Sequence, residues 1–387
     1  MSVAGIVAEF NPFHNGHKHI IDTAKKDGHT VCTVISSEFV QRGDAAILSK
    51  FTRAKMALLC GVDVVLELPT PWSMSTAQNF AYGAVSQLIA AGVEILYFGS
   101  ECGNTELLIK AAEVLTSADF DIKVKGKLKS GKPFAAIRQE ILEENGSEFR
   151  GLLSGANDTL AIEYIISARK LSPNIKFSAV KRVGTQHDSE ISSGEFLSAK
   201  AIRELLLNNE AETATKYIPA EICDIIKNEE FADSSRLESA ILAKLRTMSE
   251  EDFKKLPDIS EGLENLLYKS ARKAATLSEF LKLCKTKRYT LARLKRIAVS
   301  ALLEIDNSNF KKEPPYVRVL GFKDNAIRFL PKDKTKPIIT KTAQLSKLDD
   351  YAVSVFNNEC RISDIYGLCF ETAKPCGLNM TTPIIKI

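Results

Sequence analysis

No Cys-x-x-Cys pair occurs anywhere in the 387 residues, although eight cysteines are present. Zinc ribbons and dithiol redox centres both use that spacing, so its absence removes the usual signature of each. The nearest thing to a cluster, Cys360, Cys369 and Cys376, is too widely and irregularly spaced for a common zinc site. No histidine follows Cys360 either. No protein metal site is expected, and thiols held reduced in a cytosol are the simplest reading. Long apolar runs are also lacking: none approaches the ~20 residues that span a bilayer, so no membrane partner is expected. The opening residues lack a basic-then-apolar leader pattern, which points to a cytoplasmic location. Charge of one sign is scarce, since 52 Lys and Arg face 48 Asp and Glu for a net +4. The net charge is therefore too small to establish nucleic-acid binding by itself, although a local basic patch is allowed. Internal repeats and low-complexity tracts are missing too. What remains, 45% hydrophobic and 26% charged residues, is an ordinary globular composition with length for two domains.

The first half alternates short apolar runs with amphipathic segments. Strands are expected at 3–8, 30–36, 62–68, 95–99 and 175–180, with helices at 16–25, 50–60, 76–91, 160–171 and 199–207. Apolar strands separated by helices predict an α/β fold, a parallel sheet covered on both faces. Beyond about residue 208 the pattern changes. Residues 208–306 read as mostly helical, clearest at 261–275 and 290–305. Residues 307–387 read as mixed, with strands at 316–320, 326–330 and 383–387, a helix near 342–357 and a solvated loop at 332–341. The expected organisation is a 1–207 domain followed by a 208–387 region.

Ligands of such sheets sit beyond the carboxyl ends of the strands, and the polar motifs fall there. After the first strand come Glu9, Phe10, Asn11, Pro12, Phe13, His14, Asn15, Gly16 and His17. Pro12 sets a turn, and Gly16 lets backbone approach closely at a helix start, where free N–H groups favour a phosphate. His14 and His17, three apart, would share a helical face and donate hydrogen bonds to charge developing on a polyphosphate. After the second strand, Arg42 of Gln41-Arg42-Gly43 can grip a phosphate or a small carboxylate; a surface salt bridge is the plainer alternative. Lys50 could serve or be solvated, and Lys55 reads as solvated. Gly99, Ser100 and Glu101 follow the fourth strand, where Glu101 could equally cap a helix. Ser198 is a candidate N-cap of a helix that also carries Lys200 and Arg203, and could hold β- and γ-phosphates.

These segments carry a resemblance. The run Glu9 to His17 is similar to the HxGH signature of the nucleotidyltransferase superfamily. In its longer form it resembles the opening of the tRNA(Met) cytidine acetate ligase family. Further matches follow in order: Gln41 to Gly43, Lys50 and Lys55, Gly61 to Pro69, Phe98 to Glu101, Asn157 to Tyr164 and Ser198 to Arg203. In the second half they are Glu261 to Asn265, Lys285 to Thr290 and Asp364 to Tyr366. Two departures are Asp158, where the family has a neutral residue, and Gln186, where an aromatic residue is common. The resemblance implies a Rossmann-like first domain and an enzyme that activates acetate with ATP as acetyl-adenylate. It then implies acetylation of N4 of the wobble cytidine of elongator tRNA(Met). Carried over by position, the ATP site comprises Val7, Ala8, Glu9, Phe10, Asn11, Pro12, Phe13, His14, Asn15, Gly16, His17, Lys18, His19 and Ile20. Gly99, Ser100, Glu101, Asn157, Arg182 and Ser198 complete it, with His14, His17 and Arg42 in catalysis. Mg²⁺ is expected to bridge the polyphosphate.

The densest basic stretch contains Lys282, Lys285, Lys287, Arg288, Arg293, Lys295 and Arg296, with no acid among its fifteen residues. An RNA backbone is the expected partner, with Tyr289 placed to stack on an unpaired base. A small-molecule adenylyltransferase is the alternative function; it leaves this stretch without a role.

Overall fold

The structure, a computed structural model, describes residues 2–387 apart from 129–131, 183–195, 261, 311–312, 325 and 332–335. Gln186 and Glu261 therefore lie outside the described residues, as does part of the loop expected at 332–341.

Five parallel strands form the sheet's centre: β1 Val3–Ala8, β2 Thr30–Ser36, β3 Val64–Leu68, β4 Ile95–Ser100 and β5 Lys176–Lys181. Their neighbour order is β5-β4-β1-β2-β3. From β1 the chain steps outward to β2 and β3, then returns to place β4 on the other side of β1. The switch point between β1 and β4 opens a crevice at the carboxyl ends, where open α/β sheets bind ligands.

β1 and β2 are apolar on both faces because both faces are covered. Cys32, Val34 and Leu66 pack under helices Ala77–Ala90 and Ala156–Leu171. Val31, Ile35 and Val65 pack under helices Asn15–Lys26, Lys50–Leu59 and Ala199–Leu207. Helices Thr105–Leu115, Ala118–Leu128 and Phe134–Asn145 fill a stretch for which no element is expected above.

The sheet does not end with the first half. β6 Val317–Phe322 pairs antiparallel with β3, and β7 Ile338–Ile339 and β8 Ile385–Lys386 pair parallel with β6. A division at 207/208 thus does not divide the sheet, which is completed by the C-terminal residues. The strand expected at 326–330 is instead a 3-10 turn, Ala326–Phe329. Both edges of β6 are already taken by β3 on one side and by β7 and β8 on the other. The helix expected near 342–357 begins later: a 3-10 segment Thr342–Lys347 precedes it, and Asp349 caps helix Asp350–Tyr366 by accepting from the Ala352 amide at 2.7 Å.

A second core is built by helices Glu238–Thr247, Leu263–Lys273, Leu277–Cys284 and Leu291–Leu303. It also takes in Phe39, Ala45 and Met74 from the first half, so the segment after β2 is embedded in the helical region. No helix among the described residues is long and apolar enough to cross a membrane.

Candidate active site

A cavity of about 310 Å³ lies at the switch point. Its floor is the end of β1, Ile6 to Phe10, with Phe98 and Gly99 from β4 and Val180 from β5. Phe10 takes a left-handed backbone, φ 48°, a strained conformation for a bulky residue that its surroundings must enforce. The residues on either side are tied down. Arg53, wholly buried, donates to the carbonyls of Glu9, Ser36 and Leu48 at 2.7–2.9 Å. Asn11 accepts from the Ile47 amide at 2.8 Å, and its carbonyl accepts from Arg203 at 2.6 Å. Arg53 thus locks the ends of β1 and β2 together; sequence reasoning passed over it, although an arginine on an apolar helix face was the available signal.

The histidines meet in a way the periodicity does not predict. His14 is not in the helix but caps it, with extended φ −148° and ψ 173°. Its Nδ1 accepts from the Gly16 amide at 3.0 Å, and the His14 amide donates to Nδ1 of His17 at 3.3 Å. The two rings form a reciprocal capping box and stack at 3.8 Å. Gly16 is required here, since a Cβ would lie 2.8 Å from Cε1 of His14. Because both Nδ1 atoms accept backbone protons, each neutral ring carries its own proton on Nε2. Burial, reinforced by Arg182 and Arg203, lowers the His14 pKa to about 3, and burial beside His14 holds His17 well below its usual range. The pair is a neutral double donor.

Among the described residues, five cations share the cavity wall with one carboxylate, Glu9: Arg42, Lys181, Arg182, Lys200 and Arg203. Glu9 accepts from the Gln41 amide at 3.0 Å, which holds the loop bearing Arg42. Burial raises its pKa against the pull of that bond and of Arg203, Arg42 and Arg53. Ser198 caps helix Ala199–Leu207, accepting from the Ala201 amide at 3.2 Å.

Of the expected site residues, Val7, Ala8, Glu9, Phe10, His14, Gly16, His17, His19, Ile20, Arg42, Gly99, Asn157, Arg182 and Ser198 converge on this cavity. Asn11, Pro12, Phe13, Asn15, Lys18, Ser100 and Glu101 do not line it. Phe13 is core, and Lys18 pairs with Asp22 at 3.1 Å. Glu101 is a helix cap: it accepts from the amides of Asn157 and Asp158 at 3.2 and 2.7 Å. Asp158 reciprocates, accepting from the hydroxyl of Ser100 and the amides of Glu101 and Cys102. The two acids thus fasten the end of β4 to helix Ala156–Leu171. Lys50 is neither solvated nor in the cavity. It is wholly buried and paired with Glu67, which also meets Arg318 of β6 at 3.2 Å. Lys55 is exposed, as expected.

The basic stretch divides in two. Arg293 and Arg296 both bind Asp258, at 3.3 and 2.7 Å, Lys295 pairs with Asp44, and Tyr289 lies beneath Arg293 at 5.1 Å. These groups hold the fold together. Lys282, Lys285, Lys287 and Arg288 are exposed, as are the neighbouring side chains of Leu283 and Leu291. Helix Leu291–Leu303 also backs the loop that carries Arg42. A Cβ on Gly43, φ 80°, would sit 2.9 Å from the Arg296 amide nitrogen. The cavity and the basic turn are therefore joined through one loop.

A parallel sheet with a histidine-capped helix N-terminus at its switch point, walled by cations, defines a nucleotidyltransferase-type protein. In agreement, the family described as HIGH Nucleotidyl Transferase matches residues 1–379. The tRNA(Met) cytidine acetate ligases of Thermoanaerobacter sp. (strain X514) and Clostridium perfringens are 37% and 35% identical, with both chains covered completely. Thermotoga maritima TmcAL in its apo form superposes with a TM-score of 0.93 at 30% identity over the whole of both chains. The same protein bound with alpha-thio ATP gives 0.91. The chain belongs to the HIGH nucleotidyltransferase family and, within it, to the tRNA(Met) cytidine acetate ligases.

Proposed function

We propose that the chain is an ATP-dependent ligase that activates acetate as acetyl-adenylate and then acetylates N4 of the wobble cytidine of elongator tRNA(Met), in the cytoplasm. The observation that carries this reading is the pair of neutral, Nε2-protonated histidines at a helix N-terminus in a cation-walled cavity, joined by one loop to a basic turn. An acetate oxygen attacks the α-phosphorus of ATP and pyrophosphate leaves. Nε2–H of His14 and of His17 donates to the oxygens on which charge builds, and needs no proton transfer to do so. Arg42 and Arg203 hold the acetate carboxylate, while Arg182 and Lys200 face the phosphates. The site's nucleotide residues are those that line the cavity, His14, Gly16, His17, His19 and Ile20 on the helix side and Gly99 and Asn157 opposite. Among the described residues no group of three or more His, Cys, Asp or Glu could hold a metal ion. Mg²⁺ would enter as the counter-ion of the polyphosphate, neutralising its charge. Residues 208–387 hold the tRNA through Lys282, Lys285, Lys287 and Arg288.

Incubation of the protein with ATP, Mg²⁺, isotopically labelled acetate and tRNA(Met), followed by nucleoside mass spectrometry, tests the reading. Labelled N4-acetylcytidine is the expected product. Its absence, with AMP transferred instead to a phosphorylated small molecule and pyrophosphate released independently of RNA, would favour the simpler adenylyltransferase.

A further inference from the structure

We propose, resting on the ligase reading, that Glu9 is the general base of the acyl-transfer step. As the cytidine N4 nitrogen attacks the carbonyl carbon of acetyl-adenylate, a C–N bond forms and the C–O bond to AMP breaks. The AMP phosphate leaves with the electron pair, and the N4 proton passes to the Glu9 carboxylate and from there to water.

Three observations place the role on this residue. Glu9 is the only carboxylate among the described residues lining the cavity. An acid facing a polyphosphate site is electrostatically unfavourable and calls for a function. The stacked histidines cannot serve, because each Nδ1 lone pair is occupied by a backbone N–H and each Nε2 already carries the proton it donates. The Glu9 carboxylate, finally, is held ready. Its carbonyl is fixed by Arg53 and one carboxylate oxygen by the Gln41 amide, while the other oxygen has no hydrogen-bond partner among the described residues.

The charges around it give the order of events. Arg42 on the loop after β2, Arg53 on helix Lys50–Leu59 and Arg203 on helix Ala199–Leu207 face Glu9. Tyr164 on helix Ala156–Leu171 feels its charge. While acetate is bound as an anion, it competes for Arg42 and Arg203 and disfavours a second carboxylate. Formation of the mixed anhydride removes the acetate charge. The two guanidiniums then favour ionised Glu9 at the moment a base is needed.

Glu9→Gln isolates this role, because the amide oxygen can still accept from Gln41 and keep the loop in place. Two rates are measured on the full chain: acetate-dependent ATP–pyrophosphate exchange without tRNA, and single-turnover acetyl transfer from preformed acetyl-adenylate to tRNA(Met). Glu9→Gln is expected to slow transfer on the order of 10²-fold or more beyond any loss of exchange. The wild-type acid limb of transfer against pH disappears with it, and Glu9→Asp restores part of the rate. Parallel loss of both rates, unimpaired transfer, or the same selective loss in His19→Ala would overturn the proposal. If the unaltered protein neither exchanges nor acetylates, the ligase reading itself falls, an outcome distinct from these.

Discussion

At His14 and His17 the Nδ1 atom serves the fold, while both residues line the cavity, where the proposed chemistry places Nε2. Substituting asparagine at position 14 separates the two, since its side-chain oxygen caps a helix but cannot reach where Nε2 lies. His14→Asn is expected to melt within a few degrees of wild type yet lose about 10²–10³-fold in acetate-dependent ATP turnover. His14→Ala is expected to lose the cap as well, about 1 kcal/mol by denaturant titration. The histidine pKa also sets a stability slope. Unfolded His14 takes up its proton near pH 6.5 and folded His14 only near pH 3, so between these values the unfolded state binds more protons. Stability therefore falls as pH falls through that window, and His14→Asn should flatten the fall. At this scale the sequence was informative about type and poor about geometry. The His-x-x-His pair after an apolar strand pointed to the cavity that both rings line, but helical periodicity put both rings on one helix face. The N-cap, decided by backbone bonds of the histidines themselves, moved His14 outside the helix. Glu101 went the other way: its place after β4 suggested the nucleotide, and its hydrogen bonds make it a cap.

The element that ties the site to the rest is the segment after β2. Glu38 accepts from Lys50, Gly43 backs onto helix Leu291–Leu303, Asp44 pairs with Lys295, the Ala45 amide donates to Ser234 at 2.9 Å, and the Ala46 carbonyl accepts from Tyr366 at 2.9 Å. Gly43→Ala places a side chain in a left-handed backbone and against the neighbouring helix. The expected cost is about 1–2 kcal/mol or more of stability in urea titration, with a loss of ATP turnover that conservative changes at the exposed Lys55 do not share. The basic turn should respond differently along its length. Joint replacement of Lys285, Lys287 and Arg288 by alanine is expected to weaken tRNA binding and flatten its salt dependence by up to ~0.7–0.9 per lost phosphate contact, leaving ATP affinity in place. Arg296→Ala is expected to lower the melting temperature instead. Charge density in the sequence located the turn. It could not tell paired from free cations, because the acids that pair them, Asp44 and Asp258, are far away along the chain.

For the molecule as a whole, the buried polar network joins the two halves. Lys50, Glu67 and Arg318 link helix Lys50–Leu59, β3 and β6, while Ser37 and Thr70 donate to Glu359 of helix Asp350–Tyr366 at 2.7 and 3.0 Å. Burial and the charge of Glu67 raise Glu359 to about 7. The folded state therefore keeps an extra proton between about pH 4.5 and 7, and this contribution to stability is lost as pH rises through 7. Glu359→Gln should remove that dependence, read as the urea midpoint against pH. The alternation of strands and helices made the parallel sheet legible. Its completion was not legible, because an antiparallel strand contributed 249 residues after β3 ends leaves no local pattern. A fragment ending at 207 is accordingly expected to be insoluble, with the β3 edge bare and Lys50 and Glu67 deprived of Arg318.

That late strand also sets a timetable for synthesis. At about 5–20 residues per second, Val317 follows Leu68 out of the ribosome by on the order of 10–50 s. Throughout that interval the nascent chain carries an apolar strand with one open edge and a buried-type ion pair lacking its third member. Such an intermediate is a substrate for chaperones, and for self-association when synthesis is fast.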